Sequence, residues 1–181
     1  MDTSGAILVV EDDPDVRHSA SVVLAPHFER VESLVDATHL EMTLGSIAYD
    51  VVLLDMNFVI GQRSGAAGLD ALATVRSFDP TLAVVLMTAY GGVTLAVEAL
   101  KRGAMDFILK PWRNDKLIAA VHAAALATRA RRAGETLELS KLERDAIERA
   151  LSRCQGNISA AADMLGLSRA TLYRRIAKHG L

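Results

Sequence analysis

Four apolar runs in this sequence each end in a side chain suited to phosphorus chemistry. In ILVVEDDPDVR, the run Ile7–Val10 leads straight into Glu11, Asp12 and Asp13, and the next cation is Arg17. Adjacent carboxylates repel one another, so the cluster is either a solvated loop or a receptor for concentrated positive charge. Asp55 ends the run VVLLD, Thr88 ends VVLMT, and Lys110 ends FILK. Carboxylates that converge on one point bind a hard cation such as Mg2+, which takes a few carboxylate oxygens together with water and phosphate. Beside such a charge one carboxylate can attack phosphorus. A lysine and a threonine hydroxyl can then stabilise the equatorial oxygens of the transferred group.

That chemistry needs all four chain ends on one rim, which sets a demand on the fold. The sequence predicts strands at Ala6–Val10, Arg30–Leu34, Val51–Asp55, Leu82–Thr88 and Phe107–Lys110. Between them, apolar residues recur at helical spacing over Pro14–Pro26, Ala37–Gly45, Gly68–Phe78 and Gly92–Arg102, and a fifth helix follows over Arg113–Arg132. Asp12 or Asp13 is placed to cap the first helix, whose first turn tolerates Pro14. Alternating β and α units with apolar strands predict an α/β fold, a five-stranded parallel doubly wound sheet. Ligands of such sheets bind beyond the C-terminal strand ends.

Residues from about Ile7 to Leu126 resemble the receiver domain of bacterial two-component response regulators, through Glu11, Asp12, Asp55, Thr88 and Lys110 in that order. The resemblance implies that Asp55 is the phospho-acceptor. It implies a Mg2+ site in which Asp12 is a direct ligand, Glu11 acts through water, and Asp55 and the Asn57 carbonyl complete the set. Thr88 and Lys110 match the residues that sense and stabilise the phosphoryl group, and Phe107 matches the switch aromatic. A cis Lys110–Pro111 bond is usual in that family. Asp13 falls one position beyond the acidic pair and reads as a cap or a supporting acid. The sequence departs from the pattern after Asp55: DMNFVIGQRSGAAGL is longer than most such loops and lacks their proline.

The C-terminal part reads differently. RRAGETLELS lacks a strong apolar period and is expected to be a linker, dividing a receiver at 1–132 from a small all-α unit at 140–181 across residues 133–139. A helix over Lys141–Cys154, a stop at Gly156, a second helix beginning at Asn157 or Ser159, a turn at Gly166 and a third helix capped by Ser168 make a helix-turn-helix pattern. The third helix carries Arg169, Thr171, Arg174, Arg175 and Lys178, expected to face outward. The segment Leu139–Leu181 resembles the Fis-type helix-turn-helix of enhancer-binding regulators. That likeness implies double-stranded DNA as partner, with Arg169 and Thr171 as base readers in the major groove and Arg174, Arg175 and Lys178 as phosphate contacts. Asn157 and Ser159 are expected at a backbone phosphate. Domains of this type dimerise through their first helices, which implies a homodimer on half-sites about 34 Å apart.

Charge supports the division. Residues 1–112 hold 7 Lys/Arg against 15 Asp/Glu, a net of −8, whereas residues 113–181 hold 13 against 7, a net of +6. One module suits a cation and a phosphoryl group; the other suits a polyanion. A single cysteine, the absence of a secretory-type N-terminus and the absence of a long apolar run point to a cytoplasmic protein without membrane contact. No G-x-x-x-x-G-K-[ST] motif occurs, so neither nucleotide binding nor an ATPase is expected, and catalysis beyond self-phosphorylation and self-dephosphorylation at Asp55 is not expected either. The resulting expectation is a transcription regulator phosphorylated at Asp55 by a sensor histidine kinase. Two rivals stand beside it. A constitutive DNA-bound architectural protein would use its receiver only to dimerise. A small-molecule aspartyl-phosphate hydrolase commonly has a second acid two residues after its nucleophile, where this chain has Asn57.

Overall fold

The structure is a computed structural model that describes residues 5–56, 66–89 and 93–181, the side chains of residues 93–96 excepted. Its elements are β1 (Ala6–Val10), α1 (Pro14–Leu24), β2 (Arg30–Leu34), α2 (Leu40–Leu44), β3 (Val51–Asp55), α3 (Ala66–Phe78), β4 (Ala83–Ala89), α4 (Val93–Lys101), β5 (Asp106–Lys110), α5 (Asn114–Arg153), α6 (Ile158–Met164) and α7 (Arg169–His179). The chain divides into two compact units, Met1–Arg131 and Arg132–Leu181.

In the first unit the five strands form one sheet in the order β2-β1-β3-β4-β5, with every pairing parallel. This is the α/β doubly wound arrangement that the alternating pattern predicts. Its central strands are apolar on both faces because both are covered. Leu8, Val10, Val52, Leu54, Val84 and Leu86 join a core with α2 and α3 residues. Ile7, Val9, Val51, Leu53, Val85 and Met87 join a second core with Ala20 and Leu24 of α1 and Leu117 and Val121 of α5. Strand order reverses between β1 and β3, and the crevice there is where such sheets bind ligands.

Helix α5 departs from the sequence reading. The predicted linker at 133–139 is helical, so the two helices expected at Arg113–Arg132 and Lys141–Cys154 are one element of 40 residues. Arg, Ala, Glu and Leu are good helix formers, no proline intervenes, and a lone interior glycine costs only about 1 kcal/mol. The N-terminal part of α5 is pinned to the sheet. Thr128 Oγ1 accepts from the Ala83 N–H at 2.9 Å and donates to the Asp50 carbonyl at 2.7 Å, while Arg129 Nε donates to Asp50 Oδ1 at 3.1 Å.

The second unit has its own small core. Ile147, Ala150, Ala161, Ala162 and Leu172 are buried, with Leu151, Cys154, Ile158, Leu165 and Ile176 packed around them. The two buried alanines of α6, Ala161 and Ala162, permit close approach of the neighbouring helices. Leu167 is half-buried and lines an adjacent groove. Asn157 caps α6 by accepting from the Ala160 N–H, and Ser168 caps α7 by accepting from the Thr171 N–H. Gly156 and Gly166 take the positive φ values, 80° and 65°, that the two turns require. Among the described residues no helix is long and apolar enough to cross a membrane.

Two glycines test this packing with opposite signs. A Cβ on Gly68 would lie 2.8 Å from both Cα and O of Met56, so Gly68→Ala should destabilise the first unit by about 1–3 kcal/mol through overpacking. A Cβ on Gly134 meets nothing within 4 Å, so Gly134→Ala should stabilise α5 by about 0.5–1 kcal/mol. Urea unfolding followed by circular dichroism separates the two.

Candidate functional site

The parallel sheet carries the acidic residues to one rim. Val10 pairs with Leu54, so Glu11, the next residue, reaches the level of Asp55; Asp55 in turn pairs with Met87, one residue before Thr88. Ala89 pairs with Lys110, which brings the end of β5 alongside. Carboxylate oxygens of Glu11, Asp12 and Asp55 all lie within 4.8 Å of one another. Lys110 Nζ bridges two of them, 2.8 Å from Asp55 Oδ1 and 2.6 Å from Glu11 Oε2. The Lys110–Pro111 bond is cis.

Electrostatics decide what this cluster can hold. At an effective dielectric near 20, two carboxylates 4.8 Å apart repel by about 3.5 kcal/mol, and each contact with one ammonium more than offsets such a pair. Three carboxylates against one ammonium still leave two uncompensated negative charges. Glu11 is only 1% exposed, and burial pushes its carboxyl up to about 7, with the Asp55 charge adding to the shift and Lys110 opposing it. Burial also works against the Lys110 ammonium, but hydrogen bonds to Asp55 and Glu11 outweigh it and hold its pKa above the ordinary lysine value. Apart from its 2.6 Å ion pair with Lys110, Glu11 Oε2 is a buried side-chain oxygen with no further hydrogen-bond partner among the described residues. A buried carboxylate whose charge burial makes costly, in a pocket of three carboxyl groups and one ammonium, fits a divalent cation.

The remaining predicted residues fall into place unevenly. Asp13 is the N-cap of α1, accepting from the Asp15 and Val16 N–H groups at 2.9 and 3.2 Å. Thr88 is fully buried, and its hydroxyl makes a long 3.4 Å bond to the Ala89 carbonyl. Phe107 is half-buried against the α3-side core. Asn57 and the long loop through Gly65 lie outside the described residues.

Sequence reasoning noticed Arg17 only as the nearest cation. Its Nη1 donates to the carbonyls of Glu11 at 2.7 Å and Asp12 at 3.1 Å, so the guanidinium ties α1 to the acidic loop through the backbone. A cation four residues after an N-cap, facing back along the first turn, is the signal that was there to be read.

On α7, Arg169 and Arg174 are exposed, and Thr171 is half-buried with its hydroxyl 2.9 Å from Ser168 Oγ. Arg175 and Lys178 are not simply outward-facing. Both pair with Glu143 of α5, at 2.5 and 3.2 Å, because they share the flank of α7 that turns toward that helix. Tyr173, which the sequence reading passed over, is 59% exposed beside Arg174. Asn157 and Ser159 are exposed, the former with its side-chain oxygen engaged as a cap.

Comparison with known proteins assigns both parts. Residues 7–122 match the family model of the response regulator receiver domain, and residues 138–179 match that of the bacterial regulatory protein, Fis family. The transcriptional regulatory protein FixJ of Bradyrhizobium diazoefficiens is 32% identical over 124 residues, 68% of this chain and 58% of FixJ. The C4-dicarboxylate transport transcriptional regulatory protein DctD of Pseudomonas aeruginosa is 32% identical over 143 residues, 79% of this chain and 30% of DctD. The chain thus spans less than two thirds of these relatives. Among solved structures, the N-terminal signal receiver domain of a response regulator from Bacteroides fragilis superposes with a TM-score of 0.61 at 38% identity, covering 67% of this chain and 96% of that one.

Replacing Arg17 with Met removes both carbonyl bonds while leaving every carboxylate in place. Loss of such an outer support is expected to weaken divalent-cation affinity by roughly tenfold to a hundredfold. Titration of Mg2+ against the fluorescence of Trp112, the sole tryptophan and a neighbour of Lys110 in a common groove, measures it; an unchanged midpoint contradicts the supporting role.

Proposed function

The chain belongs to the response regulator receiver family and carries a Fis-type helix-turn-helix, and on that premise we propose that it is a phosphorylation-switched, sequence-specific DNA-binding transcription regulator of a two-component system. The observation that carries the proposal is Lys110 bridging Glu11 and Asp55, with Asp12 alongside, at the C-terminal edge of the sheet. In it, residues 1–132 receive the signal, 140–181 bind DNA, and 133–139 connect them. The fifteen residues between the two matched segments leave no space for a central ATPase domain, so regulation depends on where the protein sits on DNA.

The partner is a sensor histidine kinase. An Asp55 carboxylate oxygen attacks the phosphorus of a phosphohistidine; a phosphorus–oxygen bond forms, the phosphorus–nitrogen bond breaks, and the electron pair leaves with the imidazole, which takes up a proton. Glu11, Asp12, Asp55 and the Asn57 carbonyl would hold Mg2+, which would supply positive charge to the phosphoryl oxygens. Lys110, already 2.8 Å from Asp55, pairs with another of those oxygens. The Thr88 hydroxyl is free to turn toward a third, since its 3.4 Å bond to Ala89 is weak. Movement of Thr88 and of the half-buried Phe107 then alters the surface formed by α4, β5 and α5, favouring a homodimer.

On the DNA side, Arg169 reads bases from the N-terminal end of α7 with Thr171 behind it, and Arg174 contacts phosphate. Leu139 and Leu142, exposed and one turn apart on α5, support dimerisation through that helix. Joining two such units makes the second DNA contact effectively intramolecular.

Beryllofluoride with Mg2+, a phosphoryl mimic, should raise self-association and DNA affinity together in the wild type and leave Asp55→Asn unchanged. Sedimentation and anisotropy on a duplex selected from a random pool measure both. Equal affinity with and without the mimic would favour the constitutive architectural reading.

A further inference from the structure

Helix α7 has two unlike flanks. Arg169, Ala170, Tyr173, Arg174 and Ala177 are exposed, and among the described residues neither arginine has a carboxylate partner. The other flank converges on one acid of α5. Glu143 Oε1 lies 2.5 Å from Arg175 Nη1, and its Oε2 lies 3.2 Å from Lys178 Nζ and 2.8 Å from His179 Nε2. The Glu143 side chain is 23% exposed and that of His179 only 6%, so the cluster is partly closed over by the packing of α7 against α5. Its three basic partners hold the Glu143 carboxyl below the ordinary glutamate value, the His179 hydrogen bond first among the causes.

An isolated surface ion pair does little for stability. Here the consequence lies in what the pairs withhold. Binding of any DNA, whatever its sequence, is driven by cations that reach phosphates and displace counterions. Arg175 and Lys178 are two of the five Lys/Arg and candidate reader positions the sequence singled out on α7, and both face a carboxylate. A phosphate approaching them would meet Glu143 as a like charge. The open flank, by contrast, presents an aromatic ring and two guanidinium groups without a carboxylate partner among the described residues, suited to base edges, thymine methyl groups and phosphate.

We propose that Glu143 is a specificity-determining positioning residue: it occupies Arg175 and Lys178, suppressing sequence-independent grip, and seats α7 so that its Arg169–Tyr173–Arg174 flank meets the DNA, with Arg169 and Tyr173 toward the bases. The inference rests on the DNA-binding reading above. It does not require phosphorylation, and Glu143 itself touches no DNA.

The full chain carrying Glu143→Gln is compared with wild type and with Glu143→Asp, which keeps the charge. Anisotropy is measured on a duplex the wild type selects from a random pool and on a random-sequence duplex of equal length. Releasing two cations should steepen the slope of log affinity against log salt by about 1.8 per bound chain, so the loss between 50 and 200 mM salt grows by about tenfold. Glu143→Gln should therefore bind the random duplex more tightly at low salt and narrow the selected-to-random ratio, while Glu143→Asp stays near wild type. Circular dichroism and a thermal melt identify a folding defect. A parallel loss of affinity for both duplexes, or an unchanged slope and ratio, overturns the proposal and leaves Glu143 a structural brace. A wild type that binds neither duplex overturns the DNA-binding reading itself.

Discussion

Three carboxylates crowded around one half-buried ammonium are the constraint to which the first unit is built. Left alone, Glu11, Asp12 and Asp55 would drive one another apart, and the burial of Glu11 makes its charge still more costly. Lys110 offsets part of that cost from a different strand. Removing the lysine would strand two carboxylates, the kind of loss that costs about 3–5 kcal/mol. The sheet has to bring β1, β3 and β5 to a common edge before any of this can exist. Parallel strands covered on both faces do so, since every β–α crossover returns the chain in the same direction. Arg17 then holds the acidic loop by its carbonyls, leaving the carboxylates free to face inward.

The second unit solves a related problem with the signs reversed. Its basic residues cannot all be left open without making adhesion to any polyanion the dominant behaviour. One flank of α7 is met by Glu143 and the other is left exposed, with Tyr173 between Arg169 and Arg174 in sequence. In both units a charge cluster of one sign is tempered by a single residue of the other, brought in from a separate element.

Much of this was legible from residues alone. The strands were readable because each central one is an uninterrupted apolar run, and the rim followed from which residues end those runs. Pro14 narrows the cap of α1 to Asp12 or Asp13, the Gly166 turn marks Ser168 as the cap of α7, and Asn157 stands as one of two possible starts of α6. The helical conformation of residues 133–139 is not legible, because a weak apolar period gives no helical pattern. Positions 133–139 face solvent largely on all sides and have no need of an amphipathic pattern; helix propensity alone carries them. Arg17 and Glu143 were not recognised because their partners are a backbone carbonyl pair and a helix more than thirty residues away. Glu143 leaves no local spacing, and Arg17 leaves only its place four residues after the Asp13 cap. Glu143 also explains why counting arginines on α7 overstates its open positive charge.

The central claim is that the acidic rim exists so that one oxygen of Asp55 can take a phosphoryl group reversibly. Intact-protein mass spectrometry after incubation with acetyl phosphate and Mg2+, followed by peptide mapping, tests it most directly. The account predicts one added phosphoryl group, located at Asp55, dependent on Mg2+ and discharged by hydroxylamine. No added mass, or a hydroxylamine-resistant phosphate on another residue, would contradict it.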